Sequence, residues 1–321
     1  MINLLLLGVS CLVSALTIEI ALRIFMPHED IAEWYQPHQK YHHTLKPDFY
    51  QRFHYRKHDA VMTVQTDAAG FRACNSDSTT DKGMKVLFLG DSFVFGYGLE
   101  VHDRLDCFLR RLAEKRNLPV DTVNWGVPGW GTRHQVRYAA DHLQEESPDV
   151  LVLVFCKNDP ANDRGLELPT LPDMESPLYP VKTWLRSYSH SYRWLLEIRA
   201  RSWQRGSQGD APAQPHMISP EEWDNTGAYI LRLAAILESV NPQACLLLMA
   251  SAPEDKQVRS TLEQLSEKSG HLFYIDLLPY ISDIPKRDRV MPWDGHWSAA
   301  VHKAAARAVL EWIEEVALAA E

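Results

Sequence analysis

The sequence predicts a three-layer α/β/α domain on a parallel sheet of about five strands, preceded by an N-terminal transmembrane helix. Short apolar runs alternate with helix-periodic segments from residue 84 onward. Most of these runs are apolar on both faces, which is typical of parallel strands covered by helices on either side. The first 25 residues carry only two charged side chains, Glu19 and Arg23.

Five runs predict the strands of the sheet: Lys85–Leu89, Thr122–Trp125, Val150–Phe155, Ala244–Ala250 and Leu272–Ile275. Helical periodicity lies between and after them, at Leu105–Arg116, His134–Glu146, Glu221–Ser239, Lys256–Ser269 and Ala299–Ala319. Strand–helix alternation of this kind favours right-handed crossovers in a single layered sheet.

The N-terminal segment, residues 1–25, is predicted to be a transmembrane anchor. No residue from Leu4 to Ile18 is charged, and about twenty helical residues span a hydrocarbon core of ~30 Å. A cleaved signal peptide is the first alternative, although no Lys or Arg precedes the apolar stretch. A buried amphipathic helix is the second. Positive charge is sparse on both sides, so orientation is weakly determined.

The rest of the chain divides into a linker and packing segment at 26–83 and a main domain at 84–321. Val61–Gln65 within the linker predicts an edge strand. An insertion at about 164–220 interrupts the main domain, with a proline-rich start, a helix-like piece at Tyr188–Arg205 and a flexible loop at Gly206–Pro215. Insertions after a strand's carboxyl end lie over the ligand site in such folds, so this one is either a lid or a peripheral excursion.

Charge and cysteine content exclude several classes of function. A net charge of −9 without a Lys/Arg cluster argues against nucleic-acid binding. The five cysteines show no CxxC spacing, which excludes a zinc ribbon or thioredoxin motif, while a Cys74–Cys107 disulfide stays open. The histidines at 42, 43, 54 and 58 provide no ligand pair on a predicted helix. We therefore expect neither a metal nor a cofactor.

The strongest local signal is the apolar run from Val86 that ends in Gly90-Asp91-Ser92. This order places the Ser92 hydroxyl at the carboxyl edge of a parallel sheet, where ligands bind. A serine hydroxyl becomes a nucleophile only when a neighbouring base takes its proton. Taken alone, the same three residues are equally typical of a helix N-cap.

Three further blocks follow in order. Gly129 ends the block Asn124-Trp125-Gly126-Val127-Pro128-Gly129, and Asn158 follows the third predicted strand. A glycine N–H and an asparagine amide are suitable donors to an oxyanion. Asp294 and His296 precede the last helix and offer a carboxylate and an imidazole, as an orienting acid and a base require. Each block alone is an ordinary turn or cap; the four in this order indicate acyl-transfer chemistry.

This arrangement resembles the SGNH hydrolases, named for Ser, Gly, Asn and His in four blocks. The resemblance covers Met84 to the C-terminus and implies a flavodoxin-like fold. It implies Ser92 as nucleophile, His296 as base and Asp294 as its orienting acid. It also implies an oxyanion hole made of the Ser92 and Gly129 backbones and the Asn158 side chain. The stretch Thr66–Arg72, together with Phe95-Gly96-Tyr97-Gly98 after the serine, resembles a bacterial membrane-attached branch of the family.

Two features depart from the family pattern. Cys156 stands where the family usually has glycine, which narrows the site, and Lys157 after it either adds positive potential or points to solvent. Asp294 lies two residues before His296 instead of three, a spacing similar to glycan O-acetyltransferases of the alginate type. We expect Asp91 to be structural or to hydrogen-bond the loop, and His302 to lie on a helix surface.

The predicted function is ester hydrolysis through an acyl-Ser92 intermediate, acting on a small-molecule, glycan or lipid ester. The first alternative is a glycan O-acetyltransferase served by a membrane acyl-transfer partner, and the second is a catalytically silent binding module. Aromatic side chains of the insertion either stack on sugar rings or form its own small core: Trp184, Tyr188, Tyr192, Trp194 and Trp203. We expect the catalytic domain to be anchored on the periplasmic or extracytoplasmic side.

Overall fold

The computed structural model describes residues 2–26, 32–55, 58, 60–74, 83–163, 177–196, 198–199 and 218–319. The chain forms two compact units. One draws on Met1–Ala32, Phe53–Ala60 and Thr170–Met217, and the other on Glu33–Arg52, Val61–Pro169 and Ile218–Glu321. The predicted division at residues 25 and 83 stays a prediction.

The first 65 residues contain a long helix and four short strands. Helix α1 spans Ile2–Phe25. Strands β1 (Tyr35–His38) and β2 (His42–Leu45) form an antiparallel pair, and β3 (Tyr50–Tyr55) pairs with β4 (Ala60–Gln65). Strand β4 contains the predicted edge strand, but its partner is β3, so it lies outside the main sheet.

The main sheet confirms all five strand predictions. Its strands are β5 (Met84–Gly90), β6 (Val120–Gly126), β7 (Val150–Phe155), β8 (Cys245–Ala250) and β9 (Leu272–Ile275). All are parallel, in the order β6-β5-β7-β8-β9. This is the doubly wound flavodoxin-like order, and the strand order reverses between β5 and β7. The fold places the ligand crevice at the carboxyl ends of these two strands.

Helices cover both faces of the sheet. In the unit that contains the sheet, the helices are α2 (Ser92–Phe95), α3 (Leu105–Lys115), α4 (Thr132–Glu146), α5 (Asp159–Asp163), α7 (Pro220–Val240), α8 (Lys256–Ser266), α9 (Leu278–Ile281) and α10 (Ala299–Ala319). Helix α6 (Tyr179–Tyr188) belongs to the other unit. Helices α3 and α10 pack together over the face that carries Val86, Phe88 and Val152. Alternation along the strands turns Leu87 and Leu151 to the other face. These side chains are fully buried, because both faces of the sheet are covered.

The insertion is helical earlier than the sequence predicts. Helix α6 begins at Tyr179 with Pro180 in its first turn, and a further helical run covers residues 190–196. Pro180 belongs to the proline-rich start of the insertion, yet proline is favoured in the first turn of a helix, where its missing N–H has no intrahelical partner. The predicted loop Gly206–Pro215, and the proline-rich start up to residue 176, lie outside the described residues.

Helix α1 is long and apolar enough to cross a membrane. Its segment Leu5–Phe25 has a mean hydropathy of 2.2, and only 6% of the best window is buried by the rest of the protein. A membrane anchor and a signal sequence both have this character. The segment is thus an anchor or a signal sequence by length and composition.

Cys74 and Cys107 form a disulfide across 33 residues of sequence. Cys107 lies in the first turn of α3 and is buried. The bond therefore fixes the chain before β5 to a helix of the main domain.

Candidate active site

The turn after β5 presents Ser92 at the sheet edge. Asp91 is buried and caps α2, since its Oδ1 accepts a hydrogen bond from the Phe93 N–H at 3.0 Å. The expectation that Asp91 is structural is thereby confirmed. Helix α2 lies so close to β6 that a Cβ on Gly126 would stand 2.1 Å from the Phe95 nitrogen. Only glycine allows this approach, which sets the position of the Ser92 turn.

The structure brings Ser92, His296 and Asp294 together from positions about 200 residues apart in the chain. His296 Nε2 lies 2.8 Å from Ser92 Oγ, and His296 Nδ1 lies 2.9 Å from Asp294 Oδ2. The second pair is close in distance, although the ring N–H is not aligned with the carboxylate as a hydrogen bond requires. About a fifth of each side chain of the acid–imidazole pair is exposed, 21% for Asp294 and 23% for His296.

A local turn explains how Asp294 reaches the imidazole across one intervening residue. The Asp294 Oδ1 atom accepts the His296 backbone N–H at 3.0 Å, so the carboxylate folds back over the turn. Gly295 between them has φ +80°, a left-handed conformation that glycine adopts without steric cost. The shortened spacing is therefore compatible with an acid–base pair.

Aromatic rings hold the imidazole in place. The His296 ring lies between Phe93 and Tyr97, at centroid distances of 5.1 and 5.0 Å. The next residue, Trp297, is buried, and its indole N–H donates to the Ser251 carbonyl at 2.7 Å. The ring of His296 can therefore turn little without disturbing the packing around it.

The other two predicted site residues lie at the carboxyl ends of the neighbouring strands. Gly129 follows β6 and Asn158 follows β7, and both strands pair with β5. Gly129 has φ +87°, and the carbonyl before it, that of Pro128, lies 2.9 Å from His43 Nε2. Within the described part of the chain, the N–H groups of Ser92 and Gly129 and the Asn158 amide have no hydrogen-bond acceptor.

Comparison with known proteins agrees with this geometry. The profile of the GDSL-like Lipase/Acylhydrolase family matches residues 88–308, which is more than half of the chain. The chain belongs to this family. The resemblance to SGNH hydrolases is thereby confirmed, while the membrane-attached branch stays a prediction. No curated protein matches the chain.

Several solved structures are similar to this GDSL-like acylhydrolase. A family 3 carbohydrate esterase from Clostridium thermocellum is 18% identical, with a TM-score of 0.46, over 74% of this chain and 98% of its own. The psychrotrophic esterase EstA from Pseudoalteromonas sp. is 14% identical, with a TM-score of 0.44, over 72% and 97%. A lipase/acylhydrolase from Enterococcus faecalis is 14% identical, with a TM-score of 0.42, over 72% and 96%.

A buried polar cluster lies next to Ser92. It consists of Asp91, Cys156 and Asp159, whose possible ligand atoms all lie within 4.8 Å of one another. Burial, with the Asp91 charge beside it, raises the pKa of Asp159 well above its ordinary value. Burial and the same two carboxyls raise the pKa of the Cys156 thiol. The Asp159 carboxyl and the Cys156 thiol are therefore both shifted toward their protonated forms.

Cys156 and Lys157, the residues that depart from the family pattern, both line a cavity of about 500 Å³ beside the Ser92 turn. Apolar side chains form much of its wall, among them Phe93, Ile281 and Val301. The Lys157 ammonium pairs with Asp255 at 2.6 Å, and 37% of the lysine side chain is exposed to solvent. The carboxylate compensates the lysine charge next to the site.

Two buried residues that support the site were not identified from the sequence. His302 is buried and accepts the Leu105 N–H on its Nδ1 at 3.1 Å, so its predicted place on a helix surface is wrong. The Arg72 guanidinium is buried and donates to the carbonyls of Phe95, Gly96, Thr63 and Leu99. The Gly-Phe-Arg sequence at 70–72 is the pattern that could have drawn attention to Arg72, but by itself it does not indicate a buried guanidinium that donates to backbone carbonyls.

Proposed function

We propose that the protein is a serine ester hydrolase that works through an acyl-Ser92 intermediate. The observation that carries the proposal is the 2.8 Å contact between Ser92 Oγ and His296 Nε2, with Asp294 2.9 Å from the other ring nitrogen. A serine beside a base that is itself oriented by an acid is the arrangement that activates a hydroxyl.

In the first half-reaction, His296 takes the Ser92 proton while Oγ attacks the ester carbonyl carbon. The tetrahedral intermediate then loses the alcohol, which leaves with the proton that the imidazolium returns. In the second half-reaction, His296 takes a proton from water and the hydroxide attacks the acyl-serine. Collapse releases the carboxylic acid and returns the proton to Ser92. Asp294 stabilises the imidazolium that forms in both halves.

The oxyanion of both intermediates is assigned to the N–H groups of Ser92 and Gly129 and to the Asn158 amide. These donors lie after the carboxyl ends of neighbouring strands and, among the described residues, have no hydrogen-bond acceptor of their own. A preorganised donor of this kind contributes about 3 kcal/mol to transition-state stabilisation. We assign the acyl chain to the neighbouring cavity, because its walls are largely apolar.

Two features support the proposed cellular position, which is at a membrane with the catalytic domain outside the cytoplasm. Helix α1 supports attachment to a membrane. The Cys74–Cys107 disulfide is typical of an oxidising compartment, which supports a catalytic domain outside the cytoplasm.

The test is hydrolysis of p-nitrophenyl acetate by the full chain in detergent. Ser92→Ala and His296→Ala should each lower kcat/KM at least ~10³-fold, since the nucleophile and its base act as one unit. Ser239→Ala and His102→Ala are matched controls at exposed positions and should retain activity. Turnover by Ser92→Ala equal to the wild type would exclude the proposal. Adding an oligosaccharide then distinguishes hydrolysis from transfer, because a transferase would acetylate the sugar in preference to water.

A further inference from the structure

The insertion carries an apolar surface that the protein leaves exposed. Four large residues of α6 and the position before it are each more than half exposed: Leu178 (57%), Val181 (53%), Trp184 (60%) and Tyr188 (62%). Their spacing of three, three and four residues places them within an arc of about 120° on one helix face. An apolar stripe that faces outward is uncommon on a soluble protein and indicates an interaction surface.

The helical run that follows continues the surface. Its exposed apolar side chains are Trp194, Leu195, Leu196 and Ile198. Trp184 and Tyr188 are thus not part of a small core of the insertion, and Trp203 lies outside the described residues. The segment 177–199 has four Lys or Arg residues and one acid, although the whole chain has a net charge of −9. Trp and Leu on one face with cations nearby are typical of helices that lie in the interface of an anionic membrane.

Contacts with α1 tie this surface to the membrane helix. The Glu19 carboxylate accepts the backbone N–H groups of His190 at 2.8 Å and Ser191 at 2.9 Å. It also accepts both neighbouring serine hydroxyls. Arg23 pairs with Glu19 at 2.9 Å and donates to the Tyr188 carbonyl at 2.6 Å. The two charges that interrupt the apolar N-terminus therefore bind the junction between α6 and the next helical run.

The height of these contacts on α1 matches the edge of a bilayer. Glu19 stands ~26 Å along the helix from Ile2 at a rise of ~1.5 Å per residue. A hydrocarbon core is ~30 Å thick, so this point lies close to the headgroups. A cleaved signal sequence would lose the contacts of Glu19 with the insertion, whereas a retained helix keeps them.

From these observations we infer that residues 177–196, together with 198 and 199, form a second membrane contact, with the stripe of α6 lying in the interface of the bilayer that α1 enters. The inference requires that α1 is retained as a membrane helix. The ligand is the anionic lipid surface itself. The bound segment would hold the insertion against the membrane instead of leaving it free as a lid.

The experiment places spin labels on the full chain in vesicles of phosphatidylcholine with a minority of phosphatidylglycerol. With Cys11 replaced by serine, Trp184→Cys puts a label on the stripe and Thr183→Cys puts one on the opposite, exposed face. Collision with oxygen reports the bilayer, and collision with a water-soluble nickel complex reports solvent. Native Cys11, which is exposed on α1, carries the label in a parallel sample and reports whether α1 is inserted.

We expect a label at 184 to collide with oxygen at least about threefold more than one at 183, and the reverse for nickel. Equal nickel access at 183 and 184, with Cys11 in the bilayer, would overturn the inference while leaving the anchor intact. Protection of 184 from both reagents would also overturn it, in favour of a protein partner. A label at Cys11 that reports water would show that α1 is not inserted in the bilayer, and it would overturn the inference together with the anchor. Thermal midpoints equal to the wild type show that the labelled chains are folded.

Discussion

Replacing Asp294 with asparagine tests whether the shortened acid–base spacing still supports catalysis. Asparagine keeps the size of the side chain and removes its charge. The 2.9 Å separation gives an attraction to a protonated His296 of about 6 kcal/mol at an effective dielectric constant of ~20, and about 1.4 kcal/mol at ~80. Since a fifth of each side chain meets solvent, a value near 40 is appropriate, which gives about 3 kcal/mol.

This energy should appear almost entirely in the rate. The imidazole is neutral before proton transfer and charged in the transition state, so only the transition state gains the full attraction. At 1.36 kcal/mol per tenfold change, Asp294→Asn is expected to lower kcat/KM about 100-fold. The backbone hydrogen bond to the side-chain oxygen at Oδ1 survives in asparagine, so the turn should persist.

The assay is steady-state hydrolysis of p-nitrophenyl acetate on the plateau of the pH–rate profile. Asp283→Asn is the control at an exposed acid. The control removes one negative charge far from the imidazole and should change the rate less than about twofold. A rate for Asp294→Asn within about threefold of the wild type would refute the reasoning. It would mean that another group orients His296.

Three other outcomes follow from the structure. Ala252→Phe, which fills part of the cavity, should lower octanoyl-ester hydrolysis at least ~10-fold relative to acetyl-ester hydrolysis, and an equal loss for both esters would show that the acyl chain lies elsewhere. Cys74→Ser, which opens the disulfide-closed loop of 33 residues, should lower the free energy of unfolding by about 3.7 kcal/mol in urea titration; an unchanged midpoint would contradict this. Burial lowers the pKa of His43 to about 4 and that of His302 to about 3. Below pH ~6.5 the unfolded chain therefore binds more protons than the folded chain, and the free energy of unfolding decreases as the pH is lowered. Each histidine should lower the free energy of unfolding by about 2 kcal/mol between pH 7 and 5. His302→Gln should make the thermal midpoint depend less on pH over that range.

The sheet could be predicted because its strands are buried on both faces. A short apolar run that is bounded by polar residues, such as Val150–Phe155, has few possible structures other than a buried strand. All six of its residues are buried in the fold. The pairing of Ser92 with His296 was also predictable, but from the order of four blocks and the family they resemble. No local pattern indicates that two side chains separated by 204 residues meet at 2.8 Å.

The supporting residues could not be predicted, because their environment is made by distant segments. Arginine side chains are mostly exposed, so the sequence alone does not indicate that Arg72 is buried. Its acceptors are backbone carbonyls up to 27 residues away in the chain. His302 accepts a hydrogen bond from a helix start 197 residues earlier. Sequence periodicity reports which face of an element is apolar, and it does not report a polar side chain whose partners come from another element.

The buried cluster behind Ser92 explains how acids can stand so near a site assigned to an oxyanion. Asp91 precedes the nucleophile and Asp159 follows Asn158, so two ionised carboxylates here would oppose the negative charge that forms on the substrate oxygen. Burial and the charge of Asp91 raise the pKa of Asp159 well above its ordinary value, which shifts that carboxyl toward its neutral form. Cys156, in the family's glycine position, stays a neutral thiol for the same reason. Burial raises the pKa of Asp91 as well, so all three groups of the cluster are shifted toward their neutral forms, which limits the negative charge beside the site.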